Sequence, residues 1–110
     1  MWKCTKCNFI VEGDSPPDMC PRCGAPKEAF EEVPANVADL ARRSKLTNTL
    51  HQKLTALLDE VEQVAQAGIQ DNLDPGCVKI FTEAQAFADE MKRKIAAEIV
   101  VHVGKGKWGV

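Results

Sequence analysis

The sequence predicts a small metal-bound domain of about 33 residues, followed by an antiparallel hairpin of two long α-helices. Three observations carry this. Four of the five cysteines fall within the first 23 residues, as two C-x-x-C pairs. Five of the six prolines precede residue 35, which places a boundary between residues 1–33 and 34–110. Beyond it the chain turns rich in Ala, Leu, Gln, Glu and Lys, and apolar residues recur every three or four positions, the period of a helix face.

Composition narrows the function classes. The 110 residues are 45% apolar and 27% charged, which excludes a disordered polar tail. No apolar run approaches the 18 or so residues of a membrane span, so no membrane partner is expected. A formal net charge of −2 gives no basic face, and two Trp and four Phe form no stacking stripe, so nucleic acid is not an expected partner. Met1-Trp2-Lys3-Cys4 leads into the first cysteine pair without a secretion signal, which predicts a cytoplasmic location.

Cys4-Thr5-Lys6-Cys7 and Cys20-Pro21-Arg22-Cys23 are separated by twelve residues. Each C-x-x-C turn brings two thiolates together, and two such turns close a tetrahedral S4 site for zinc or iron. A disulfide framework fits poorly, because five cysteines leave one over and no secretion signal is present. Neither pair is followed by His, which rules out c-type haem attachment. A segment this short buries too little apolar surface to fold alone, so the metal is expected to be part of the fold. Trp2, Phe9, Ile10 and Phe30 are the large apolar groups expected beside it. Gly13-Asp14-Ser15-Pro16-Pro17 reads as the turn between the pairs.

Trp2-Lys3-Cys4-Thr5-Lys6-Cys7, the Pro16-Pro17 turn, and Cys20-Pro21-Arg22-Cys23-Gly24-Ala25-Pro26-Lys27-Glu28-Ala29-Phe30 together resemble a rubredoxin-like domain of the rubrerythrin type. One departure is Asn8, where that family has Gly. Asn tolerates the left-handed conformation better than most residues, so the turn is expected to survive. The resemblance implies a rubredoxin-like or zinc-ribbon-like β domain. It also implies one iron per chain, cycling between Fe(III) and Fe(II) on Cys4, Cys7, Cys20 and Cys23, with no open coordination position. Zinc is the alternative ion, and it can also replace iron in recombinant protein.

Pro34 marks the start of the first helix, expected over about 35–68. Its apolar or small positions run Val37, Leu40/Ala41, Ser44, Thr47, Leu50, Leu54, Leu57/Leu58, Val61, Val64/Ala65 and Gly68. After a short loop, Asp74 reads as the N-cap and Pro75 as the first residue of a second helix. That helix runs through Cys77, Ile80/Phe81, Ala84, Phe87/Ala88, Met91, Ile95, Ile99 and Val103, with Gly104 as its expected stop. One hairpin leaves much of this surface uncovered. Leu50, Leu54, Leu57, Val61, Phe81, Phe87, Met91, Ile95 and Ile99 exceed what one partner helix covers, which predicts a homodimer forming a four-helix bundle, with the metal centres outside it.

Di-iron bundles carry Glu-x-x-His on facing helices, and this chain has none; Glu98 and His102 are four apart. Cys77 reads as a small residue on the apolar face, His51 as a hydrogen-bonded core-edge residue, and Trp108 as a side chain packed on the hairpin or on a dimer partner. The function expected is one-electron transfer by a rubredoxin-type Fe(Cys)4 centre carried on a helical dimerisation module. Residues 1–33 hold six acidic groups against four basic ones, which suits a basic redox partner protein. The competing readings are a structural zinc-ribbon interaction module and, further off, a peroxide-reducing relative of rubrerythrin; an electron carrier without catalysis of its own is preferred to an enzyme.

Overall fold

The computed structural model describes all residues from Met1 to Val110. Three short strands, β1 (Trp2–Cys4), β2 (Ile10–Val11) and β3 (Phe30–Glu32), precede two helices, α1 (Ala35–Asp71) and α2 (Pro75–Gly104). The strands form an antiparallel sheet in the order β2-β1-β3. Trp2 pairs with Val11 on one side and Glu32 on the other, and Cys4 pairs with Phe30. The two helices form a hairpin. At 1.5 Å per residue, the 37 residues of α1 span about 55 Å and the 30 of α2 about 45 Å. Neither is long and apolar enough to cross a membrane.

The chain divides into two compact units that cut across the helices. One comprises Met1–Lys45 with His102–Val110, the other Leu46–Val101. In the first, the core is Cys4, Cys20 and Phe30, with Trp2, Phe9, Val11 and Ala25 packed around them. Ile10 was expected here, but Val11 takes the place. Neighbouring strand residues point to opposite faces, and Ile10 faces the C-terminal tail: a Cβ added to Gly109 would lie 2.8 Å from Ile10 Cδ1. Trp108 and Gly109 line a cavity of about 180 Å³ with Met1, Lys3, Asn8 and Ile10. Val37 and Ala41 of α1 and Val103 of α2 line the same cavity, so the tail Trp lies against the ends of its own hairpin, as expected, and beside the β strands as well.

Pro34 supplies the first carbonyl of α1, accepting from Ala38 N–H at 2.9 Å. The end of α2 corrects the expected stop. Gly104 is still helical, and the left-handed residue is Gly106, with φ +70°. Gly106 N–H donates to Val103 O and Lys107 N–H to His102 O, at 3.2 and 2.9 Å. This pair of bonds is a Schellman cap, which needs the left-handed φ that glycine adopts at least cost.

In the Leu46–Val101 unit the two helices pack around Leu58, Ala88 and Ile95, with Met91 and Ile99 alongside. Asp74 caps α2 as expected, its Oδ1 accepting Cys77 N–H at 2.8 Å. The apolar positions of α1, however, divide between two faces. Leu58 and Ala65 are buried, while Leu50, Leu54, Leu57, Val61 and Val64 are exposed. Along its whole length α1 buries mainly small or polar residues, among them Ala38, Ala41, Ser44 and Asn48. Every buried side-chain N or O atom in the structure has a hydrogen-bond partner.

Candidate metal centre

The two C-x-x-C segments fold into near-identical turns. Asn8 N–H donates to Cys4 O and Gly24 N–H to Cys20 O, each at 2.8 Å. Cys4 N–H donates to Phe9 O and Cys20 N–H to Ala25 O, also at 2.8 Å. The residue after each pair is left-handed, Asn8 at φ +63° and Gly24 at φ +73°. That conformation turns the chain back over the thiols. Asn8 accommodates it as expected, so the departure from Gly leaves the turn intact.

The pairing gives the site a pseudo-two-fold character. The first cysteine of each turn, Cys4 and Cys20, is buried. The second lies outward, Cys7 half-buried and Cys23 exposed. Cys4 Sγ is 3.7 Å from Cys23 Sγ, and Cys7 Sγ is 3.6 Å from Cys20 Sγ. All four sulfurs lie within 4.8 Å of one another. Disulfide sulfurs would be about 2.05 Å apart, and all five cysteines are free. Four sulfurs held about 2.3 Å from one ion in a tetrahedron sit about 3.8 Å apart. The cluster therefore has the dimensions of a four-thiolate metal site.

The electrostatics favour a cation among the sulfurs. Burial pushes the Cys7 thiol up, but the N–H of Phe9, the Cys23 thiol, Arg22 and the Cys20 thiol together pull it down to about 6. At Cys23 the Ala25 N–H favours the thiolate, yet burial and the crowding of Cys7, Cys20 and Cys4 push it up to about 12. One thiolate is stabilised by its neighbours, and a further one is opposed by them. A metal ion removes this conflict by compensating all four charges at once. The Phe9 and Ala25 amides occupy equivalent places, two residues beyond Cys7 and Cys23. Sequence reasoning did not single them out, although the equal offset in the two turns was visible.

Residues 2–31 match the family model of the rubrerythrin rubredoxin-like domain. Rubrerythrin-1 of Clostridium acetobutylicum is 46% identical over 35 residues, 32% of this chain and 18% of that protein. Rubrerythrin of Nitratidesulfovibrio vulgaris is 40% identical over 35 residues, with the same two shares of 32% and 18%. A putative rubrerythrin of Methanocaldococcus jannaschii is 47% identical over 30 residues, 27% of this chain and 15% of that protein. The chain spans less than a fifth of the length of these curated relatives. No solved structure matches it. The N-terminal segment is thus a rubredoxin-like domain with a four-cysteine metal site, followed by a two-helix region.

The remaining candidates lie outside this cluster. Cys77 is half-buried at the start of α2, and its Sγ donates to Asp74 Oδ2 at 3.4 Å. His51 is half-buried and its backbone carbonyl accepts the Thr55 hydroxyl. His102 is buried near the end of α2. In the rubredoxin-like domain, Lys6 and Arg22 are exposed, each directly before an outward cysteine. Arg22 Nη1 reaches Cys7 O at 3.5 Å.

Proposed function

We propose that the rubredoxin-like domain binds one iron ion through Cys4, Cys7, Cys20 and Cys23 and serves as a one-electron carrier. The observation that carries this reading is the sulfur cluster itself, with two buried and two outward ligands at tetrahedral spacing. An Fe(Cys)4 centre supplies exchange of a single electron between the ferric and ferrous states. The chain does the rest. The Phe9 and Ala25 amides donate toward the outward sulfurs and favour the more negative, reduced charge state. Phe30, Trp2 and Val11 exclude water from the inner side. All four positions are taken by cysteine, so electron exchange needs no ligand to leave.

The outward edge at Cys7 and Cys23 is the shortest way in for an electron. Lys6 and Arg22 place a positive charge beside each outward sulfur, which favours a redox partner presenting carboxylates there. Of the acidic residues noted in the sequence, Glu31 and Glu32 belong to β3, and Glu12 is paired with Arg42.

Absorption spectroscopy and metal analysis on protein from the native cell test the reading. The expected result is one iron per chain and a visible charge-transfer band that bleaches on chemical reduction and returns on reoxidation. A colourless protein holding one zinc per chain would sink the electron-carrier reading and leave a structural ribbon.

A further inference from the structure

The Leu46–Val101 unit has two unlike edges. On one, Lys92 Nζ lies 2.7 Å from Asp59 Oδ1 and 2.8 Å from Glu62 Oε2, tying α2 to α1 with charge. The other edge is apolar. Leu50, Leu54, Leu57, Val61 and Val64 follow one another at spacings of four, three, four and three, and each is 39–64% exposed. Ile80 and Phe87 of α2 are exposed at 66% and 57%. Between Leu57, Val61 and Val64 on one side and Ile80 and Ala84 on the other runs an open apolar groove of about 430 Å³.

The geometry points to a second copy of this chain on that edge, antiparallel, with α1 lying along α1 of its partner and the two-fold axis near Leu57. Self-complementary charge argues for this occupant. At 100° per residue, the charged residues bordering the stripe on its outer flank within its span are Lys53 and Glu60. Both are exposed, and neither makes an ion pair within the chain. Their midpoint falls beside Leu57, near the middle of the stripe, which Leu46, 66% exposed, extends four residues before Leu50. In a two-fold contact residue i meets j while j meets i. The antiparallel register therefore sets Lys53 against Glu60 of the partner subunit, and does so twice. A parallel register would set Lys53 against its own copy.

Composition agrees, and the contact is a small one. From Leu46 to Val64 the stripe is about 28 Å long and the face is two helices, about 20 Å, wide, a footprint of roughly 560 Å² against the ~800 Å² each partner gives to a standard-size complex. Most of the larger apolar side chains of α1 also lie on this edge, whereas its inward face holds Leu58 together with the small or polar Ala65, Thr55 and Asn48. A helix turning its outer face to water has the reverse distribution.

The test is sedimentation velocity and light scattering on the full metal-loaded chain at micromolar concentration in about 0.15 M salt, with three variants. The parent should run at twice its 12.1 kDa mass. A monomer, or a larger assembly, overturns the inference. Lys53→Glu and Glu60→Lys should each raise the dimer dissociation constant about tenfold, and the two together should restore it. These substitutions are on exposed positions, so they read the register without threatening the fold. Single variants without effect, or a double variant without recovery, overturn the antiparallel pairing. Leu57→Asp should yield a monomer with its helical circular dichroism intact, and a persisting dimer would overturn the assigned face.

Discussion

Arg42 grips Glu12 at two points: Nε lies 3.0 Å from Oε1 and Nη2 2.8 Å from Oε2, which fastens α1 to the residue following β2. Asp39 supports the guanidinium from the same helix at 3.1 Å. The Arg42 hydrogen bond holds the Glu12 carboxyl below its ordinary value of 4.5. A carboxyl depressed in the folded state adds stability that is present above its unfolded value and lost as pH falls through the folded one. Glu12→Gln should therefore lower the thermal midpoint of the metal domain at pH 7, by a few degrees at most because the pair is exposed. The difference from the parent should close as the pH drops below 4.5. Melting curves followed by near-ultraviolet circular dichroism at both pH values check this; a gap that persists in acid refutes it.

Removing a metal ligand should unfold one unit and spare the other. Cys20→Ser takes away a buried ligand that is also part of the small core. Metal binding should be lost, and with it the strands, the tail packing and the first turns of α1. Helicity over Leu46–Val101 should remain, because Leu58, Ala88 and Ile95 pack without the metal. Amide hydrogen exchange resolved by residue distinguishes this from a single cooperative loss.

The left-handed positions of the two turns should respond unequally to substitution. At Gly24 an added Cβ meets nothing within 4 Å, so Gly24→Ala should cost only the backbone penalty, about 1 kcal/mol. At Asn8 the penalty is already carried, so Asn8→Gly should change stability by about half a kcal/mol or less. Denaturant titration of the metal-loaded protein measures both. A Gly24→Ala variant as stable as the parent would refute the conformational account.

Gly68 has a different reason to be glycine. A Cβ there would lie 2.3 Å from two carbons of the Phe81 ring, which packs directly on the α1 backbone. Gly68→Ala should destabilise the hairpin by about 1–3 kcal/mol through this clash. That outweighs the gain in helix propensity, at most about 1 kcal/mol. Adding Phe81→Ala should relieve the clash, so that Gly68→Ala turns neutral or favourable in that background. A double-mutant cycle by chemical denaturation supplies the numbers.

Much of this molecule is legible in the chain because cysteines, caps and periodicity report strong local constraints. Two C-x-x-C pairs imply two equivalent turns, and Asp74-Pro75 announces the start of α2. The division of α1 into two faces was less legible. Leu57 and Leu58 are neighbours with equal hydropathy, and the helical period alone does not say which of them looks inward. That depends on α2: Phe81 approaches at Gly68, and Lys92 reaches across to Asp59 and Glu62. Ile10 and Val11 posed the same ambiguity in a strand, resolved by the tail that arrives from the far end of the chain. The stop at Gly106 rather than Gly104 turned on which of two nearby glycines takes the positive φ, a choice that belongs to the cap geometry.

The Lys92 bridge on the polar edge also sets a limit on growth. A hairpin adhesive along both edges would present a free surface after every addition, and addition would continue into a filament. Here the edge carrying Lys92, Asp59 and Glu62 is ionic and satisfied from within. In the proposed dimer the valence of this unit is accordingly one: with the leucine edge occupied, the opposite edge offers a third chain charge that is already paired.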